Sequence, residues 1–502
     1  MFDQIIEGIL LAMSWEALAL VALGVFVGIT VGAIPGLGST TATAILVPLS
    51  FFMPPTLGIP FLLGLHKGGL FGGSIPAVLV NTPGTASAAA TTLDGYPLAQ
   101  KGEAKSAIQM ALYSSTIGDT FSDIVLIVAA LPLAAIALLF GPAEFFSLMV
   151  VGLTIIATVT GGSPEKGIIS ALIGLMIGFV GEDIVSGAER FTFGIDHLVE
   201  GVLLIPMMIG LFAVSEMLIQ VEKKISALSQ RGISSELGRG QNLSKKEMVR
   251  NLPTIFRSSC IGTFVGAIPG TGAAIATFIS YAFAQKRSKR PEEFGKGSYE
   301  GVAASEAANS AVAGADLIPT LAFGIPGSGT AAILMGAFLA QGLRPGPSLF
   351  QENAPTMYAI FTLLLLGNPI MLLEGWFLTG LFARLVTIRQ SILIPLVLIF
   401  CMVGTYAFRG NVDDVITLVI FGAFGYALRK MRYPMPPLVI GFILTPTAEE
   451  SFKQALLLSH GDYLTFLTKP ISALFLVLSV MMLFRAAWKP VGPSRPSAEE
   501  KQ

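Results

Sequence analysis

Apolar residues fill this chain in long runs, and charge gathers in few places: the segment Glu222 to Arg250, "QKRSKRPEEFGK" from Gln285, "RKMR" from Arg429 and the tail from Pro490. Such runs read as helices crossing a bilayer, because about 20 apolar residues span the hydrocarbon core and a helix satisfies its own backbone there. The 502 residues predict an all-α polytopic membrane protein of roughly ten to twelve membrane segments. The opening "MFDQIIEGILLAMSWE" carries Asp3 and Glu7 but no Lys or Arg. It lacks the basic start of a signal peptide and reads as a short interfacial helix.

The apolar pattern occurs twice. "VGAIPGLGSTTATA" begins at Val31 and "VGAIPGTGAAIATF" at Val265, 234 residues on. "IPAVLVNTPGT" at Ile75 matches "IPTLAFGIPGS" at Ile318, "LAQKG" at Leu98 falls near "LAQGL" at Leu339, and "DHLVEGVLLIP" ending at Pro206 matches "PPLVIGFILTP" ending at Pro446. Offsets this alike predict two membrane repeats, residues 1–222 and 251–489, joined by a cytoplasmic loop 223–250 and followed by a disordered Pro- and Ser-rich tail, 490–502.

Charge orients the halves, since Lys and Arg mark cytoplasmic loops. "QKRSKRPEEFGK" follows the second Pro-Gly element, whereas the uncharged "SFFMPPTLG" follows the first. "RKMR" in the second half stands where the first half has the acidic "GEDIVSGAE" from Gly181. Equivalent loops of opposite character predict inverted-topology repeats, with parallel repeats as the weaker alternative.

The interruptions carry the candidate chemistry. From Leu252 to Ala284 the chain leaves and returns to basic loops in about 33 residues, too few for two full spans, so it reads as a helical hairpin tipped by "IPGTG". The first half repeats this at "IPGLG". Hairpins entering from opposite faces bring their tips to the midplane, where such transporters bind cargo. Pro35, Gly36, Gly38, Ser39 and Thr40 at one tip and Pro269, Gly270, Thr271 and Gly272 at the other, with Thr85, present helix N-termini and hydroxyls suited to a carboxylate. A second break in each half, Asn81, Thr82, Pro83 and Gly84 against Gly324, Pro326, Gly327 and Ser328, together with Asn309, offers oxygens to a coupling cation. The plainer reading is that Pro-Gly only kinks helices and lets neighbours pack closely.

Ionisable residues inside apolar runs are costly and usually face a cavity. Lys67, beside His66, is either a contact for an anionic group, a side chain reaching the interface, or a partner for an acid such as Glu306. Asp119 and Asp123 share one helix face and either bind a cation or sit at a helix end. Glu374 is a weaker candidate.

Composition sharpens these readings. With 53% hydrophobic and 13% charged residues and a mean hydropathy of +0.74, the bilayer is the solvent. A net charge of −1 leaves no basic domain for nucleic acid. Cys260 and Cys401 read as small buried hydrophobes, and neither a disulfide nor a structural metal site is suggested. "FGKGS" at Phe294 lacks the spacing of an ATP-binding loop, and no nucleophile or metal motif marks an enzyme. An ion gradient is the remaining energy source. One negative charge moved inward against about 100 mV costs about 2.3 kcal/mol, so a trivalent anion needs several co-transported cations.

"GAIPGLGSTTATAILVPLSFFMPP", "KGGLFGGSIPAVLVNTPGT", "DGYPLAQKGEA", "EGVAASEAANSA" and "LAFGIPGSGTAAILMGAF" together resemble the large membrane subunit of tripartite tricarboxylate transporters, the TctA family of bacteria. The resemblance covers almost the whole chain. It implies a permease of the bacterial inner membrane that takes up a carboxylate by a Na⁺ or proton gradient, without a bound cofactor, alongside a small membrane subunit and a periplasmic solute-binding protein. The family's usual pattern has a second Asn where Ser310 stands. A carrier or exporter working without a binding protein is the alternative, and a channel or intramembrane enzyme is less supported.

Overall fold

A computed structural model describes residues 2–160, 163–183, 186–222, 241–385 and 390–487. The expected cytoplasmic loop, up to residue 240, and the expected disordered tail 490–502 lie outside the described residues. In chain order the helices are α1 (Phe2–Ala12), α2 (Trp15–Gly32), α3 (Ser39–Ser50), α4 (Pro55–Gly72), α5 (Ser74–Val80), α6 (Ala89–Gln100), α7 (Ala104–Ala137), α8 (Pro142–Val159), α9 (Pro164–Gly178), α10 (Leu204–Ile209), α11 (Ser215–Glu222), α12 (Lys245–Gly266), α13 (Gly272–Arg287), α14 (Tyr299–Ala315), α15 (Leu317–Phe323), α16 (Gly329–Ala340), α17 (Leu349–Glu352), α18 (Ala354–Leu385), α19 (Gln390–Arg409), α20 (Val412–Lys430), α21 (Met435–Leu458), α22 (Thr465–Thr468) and α23 (Pro470–Ala487). Two-residue strands at Gly181–Glu182 and Glu189–Arg190 pair antiparallel.

Among the described residues, six helical stretches are long and apolar enough to cross a membrane: α2, α7, α8, the run from α10 through α11, α18 and α19. Other apolar stretches are cut short by Pro and Gly, as in α3 and α16, of 12 residues each. A π-helical turn, Gly210–Val214, joins α10 to α11.

The chain forms two compact units, one from Met1–Leu139 with Leu203–Ala427, the other from Phe140–Val202 with the chain from Leu428. In the larger unit, α2 packs along α4 with almost no side chain between them. Gly24, Gly28 and Gly32, one turn apart, lie on the carbonyls of Phe61, Leu65 and Gly69, while Gly64, Gly68 and Gly72 lie on Val21, Val25 and Ile29. Small residues at this spacing let backbones approach, which is how helices gain contact in lipid where no hydrophobic drive exists. Val21, Val25 and Ile29 then close the seam with Phe71 and Ile75. α12 meets α14 the same way, Gly262 on Ala308 and Gly266 on Val312 and Ala315.

In the smaller unit, Gly174 of α9 sits on the Leu438 carbonyl and Gly441 of α21 on that of Ala171. Phe146, Phe452 and Phe466 form an aromatic cluster, the last two stacked at 5.4 Å. Arg190 holds Glu449 in a two-pronged pair at 2.7 and 3.1 Å, and Lys453 binds Asp183 at 2.6 Å and Glu449 at 2.7 Å.

Cys401 is buried, whereas Cys260 is exposed on α12, a correction to its expected burial: the face of α12 that packs on α14 is taken by its glycines. The matched stretches ending at Pro206 and Pro446 also differ locally. The first approaches α10 as irregular chain, and the second lies inside continuous α21.

Candidate transport site

Each quoted Pro-Gly motif has a definite backbone form. α2 ends at Ala33 and α12 at Ala267, and the chain turns at Gly36 with φ +86° and at Gly270 with φ +84°. Side chains resist that left-handed region, which glycine enters freely. After the turns α3 starts from Gly38 and α13 from Thr271. The second breaks also match each other. α5 ends at Asn81 with φ +54° and α15 at Gly324 with φ +70°, left-handed stops that turn the next N–H groups back on the helix, Thr82 N onto Pro76 O at 3.4 Å and Ile325 N onto Pro319 O at 3.2 Å. The next helical turns begin under hydroxyl caps, Thr85 accepting from Ala88 N at 3.2 Å and Ser328 from Ala331 N at 3.0 Å. α6 and α16 then end alike: Glu103 N donates to Leu98 O, and Leu343 N to Phe338 O, both at 2.9 Å.

The larger unit brings these breaks together. Gly270 N donates to Gly327 O at 2.8 Å, which ties the second tip to the second half's break. Thr40 Oγ1 and Thr330 Oγ1 are 2.6 Å apart, so the start of α3 meets the start of α16. In the first half Gly84 N donates to Gly73 O at 3.0 Å. A side chain on Gly84 would strike the Gly32 carbonyl oxygen, just before the first tip. The 3-10 turn Ala86–Ala88 after Thr85 packs on α13. The start of α16 therefore meets both the start of α3 and the tip before α13. Helix starts carry unsatisfied N–H groups and positive partial charge, a setting for an anion.

The candidate residues differ in what they retain. Thr271 Oγ1 donates to Val265 O at 2.6 Å and Ile268 O at 3.0 Å, and Thr85 and Ser328 serve as caps, Ser328 also donating to Asp316 Oδ2. Gly38 and Gly272 leave room: the nearest atoms to an added Cβ at Gly38 lie at 3.9 Å, and none lies within 4 Å at Gly272. Pro35, Gly36 and Thr40 are half-buried and Ser39 is buried. Pro269 is half-buried. Asn81 and Thr82 are exposed and Pro83 half-buried, whereas Pro326 and Gly327 are buried. Asn309 is fully buried one turn beyond Glu306 on α14.

Lys67 does not reach Glu306. Its ammonium donates to Asp123 Oδ2, to Asn368 Oδ1 at 2.8 Å and to the Leu364 carbonyl at 3.2 Å, and it lies 3.4 Å from Asp119 Oδ1. Glu306 accepts instead from Thr91 and, at 3.1 Å, from Ser115.

A further buried acid, Asp94, carries a local structure that its place in "DGYPLAQKGEA" did not disclose. Its Oδ1 accepts from the backbone N–H groups of Gly295, Gly297 and Ser298 at 2.8, 2.9 and 2.9 Å, and its Oδ2 accepts from Tyr281 Oη at 2.9 Å. The segment "FGKGS", too short for a phosphate loop, is thus a cradle for this protein's own carboxylate. Burial pushes the Asp94 carboxyl above the ordinary range, against the opposite pull of the Ser298, Tyr281, Gly297 and Gly295 donors. Asp94→Ala would leave those donors buried without an acceptor, at about 1–3 kcal/mol each. We expect amide exchange at residues 295–298 to rise at least about tenfold, the equivalent of about 1.4 kcal/mol, when deuterium uptake is read by mass spectrometry. Unchanged protection would show that other contacts hold the loop.

Among the described residues no group of three His, Cys, Asp or Glu side chains is placed to hold a metal ion. Comparison with known proteins matches residues 18–440 to the Tripartite tricarboxylate transporter TctA family. The chain is 36% identical over 458 residues to an uncharacterized 52.8 kDa protein in the TAR-I ttuC' 3' region of Agrobacterium vitis, covering 91% of this chain and 90% of that protein. It is also 36% identical over 225 residues to an uncharacterized protein in the TAR-II ttuC' 3' region of the same organism, covering 45% of this chain and 93% of that one. No solved structure matches significantly. The apolar helices, the recurrent Pro-Gly breaks and the match over most of the chain agree: this protein belongs to the tripartite tricarboxylate transporter TctA family, a family of non-enzymatic membrane permeases.

Proposed function

We propose that this chain is the permease of a binding-protein-dependent secondary transporter of the bacterial inner membrane. It takes up tricarboxylates or related carboxylates by alternating access, coupled to a Na⁺ or proton gradient. The observation that carries this reading is the meeting of three helix starts through Gly270–Gly327 and Thr40–Thr330. Three neighbouring helix N-termini favour a multiply charged anion more than one terminus can. Gly36, Gly38, Ser39 and Thr40 from one tip and Gly272 from the other supply N–H groups, while Gly270 N–H holds the second tip to Gly327. Backbone carbonyls at the helix ends before Asn81 and Gly324 supply cation oxygens. The matched turns at Gly36 and Gly270, 234 residues apart, support two repeats, and the opposite character of their equivalent loops supports inversion. A small membrane subunit and a periplasmic solute-binding protein complete the transporter.

Two measurements test this reading. Radiolabelled citrate and related carboxylates offered to proteoliposomes of the assembled transporter should accumulate only with both a cation gradient and the binding protein. Saturable uptake without the binding protein would favour an independent carrier instead. Single cysteines at 54 and 289 should react with impermeant maleimide from opposite faces, and labelling from one face would end the inverted-repeat reading.

A further inference from the structure

The cluster around Lys67 does not balance its charge. Lys67, Asp119 and Asp123 are at most 2% exposed and lie on α4 and α7, in the midst of the larger unit. One ammonium faces two carboxyls, so with all three ionised the site holds a net negative charge in a place where uncompensated charge is expensive. The hydrogen bonds show which carboxyl is in excess. An ammonium has three N–H donors, and those of Lys67 go to Asp123 Oδ2, Asn368 Oδ1 and the Leu364 carbonyl. Asn368 Nδ2 gives Asp123 Oδ2 a further bond at 2.7 Å. Asp119 is left with an ion-pair contact of 3.4 Å, and among the described residues no donor other than Lys67 faces either of its oxygens. One turn along the same face, no donor reaches Asp123 Oδ1.

We propose that Lys67, Asp119 and Asp123 form a proton-loading site in which Asp119 carries one exchangeable proton, with Asp123 Oδ1 as its neighbouring acceptor. A metal cation fits the place poorly, because the Lys67 ammonium already stands between the two carboxyls. The proton fits because it neutralises the excess charge and gives Asp119 a donor of its own. The inference rests on the cation-coupled reading and deepens it by naming the ion for this site.

The neighbours do not supply the missing charge. Asp316, after α14, adds negative charge towards Asp119. Around α7, α4 adds His66, α14 adds Glu306 held by Thr91 and Ser115, α18 adds Glu374 and α6 adds Asp94 held by its loop. Arg257 of α12 lies with Thr254 and Glu300, and α5 and α15 carry no ionisable side chain.

Infrared difference spectroscopy of the full-length protein in lipid, titrated with pH in potassium buffer, reads protonated carboxyls directly and needs neither cargo nor partner. Its failure is therefore separate from failure of the transport reading. Asp119→Asn should lose one protonated-carboxyl C=O band relative to wild type. Lys67→Met should gain one, because both carboxyls then need a proton, and Lys67→Met with Asp119→Asn should return to the wild-type number. If Lys67→Met does not fold, Asp119→Asn still decides, since it removes the excess charge without removing volume: its band loss is read directly, and its thermal unfolding should depend less steeply on pH than that of wild type. A wild-type band that survives Asp119→Asn, or one abolished by exchanging potassium for sodium at constant pH, would overturn the proposal.

Discussion

Gly28→Val is expected to leave almost no folded protein in the membrane. An added Cβ at Gly28 would fall on the Leu65 carbonyl oxygen and lie 2.9 Å from the backbone nitrogen of Gly69. These are backbone atoms of α4, so no rotamer change relieves the clash, and α2 must separate from α4 along the seam that Gly24 and Gly32 share. Ordinary overpacking costs about 1–3 kcal/mol; here the whole contact that Gly24, Gly28, Gly32, Gly64, Gly68 and Gly72 permit is at stake. Detergent-solubilised protein should move from a single size-exclusion peak to aggregate, or be lost at expression. Gly380→Val is the control, because nothing lies within 4 Å of a Cβ there and its φ is ordinary. Equal monodispersity of the two variants would refute the view that this glycine seam holds the larger unit together.

The second large effect is on transport with folding retained. Gly36→Val and Gly270→Val should each lower uptake by about a hundredfold or more, while surface expression stays near wild type. Holding a non-glycine residue in the left-handed region costs about 1–2 kcal/mol, more for a branched side chain, and the turns at Gly36 and Gly270 require that region. The collision at Gly36 is with the Nε2 end of the Gln220 side chain, at 2.8 Å, which can move. At Gly36 the fold therefore survives, and at both tips the strained turn shifts the helix start that follows, α3 or α13. In the proposed site these starts face the carboxylate, so a small displacement removes N–H groups from the cargo. Gly36→Ala should fall between wild type and Gly36→Val. Normal uptake by both valine variants in folded form would remove the tips from the site.

What the sequence determined by itself was local. Long apolar runs dictate helices in a bilayer, since no other open backbone satisfies itself there. Pro-Gly pairs at Pro35, Pro83, Pro269 and Pro326 mark where those helices stop, because proline lacks the N–H and glycine admits the turn. The recurrence of the motifs pointed to equivalent positions, and the turns at Gly36 and Gly270 and the caps at Thr85 and Ser328 do share their form. Tertiary structure alone decided who meets whom. Lys67 was as compatible with Glu306 as with Asp123 from its place in the chain; its partners lie 56 residues away at Asp123 and 301 away at Asn368. "FGKGS" resembled a failed phosphate loop until Asp94 filled it from 201 residues before Gly295. Gly28 and Leu65 show the same limit, for periodicity along a helix says which face is small but not which neighbour uses it. The physical reason is that backbone propensity acts over one or two turns, whereas the partner of a buried charge or a bare helix face is set by how distant segments pack.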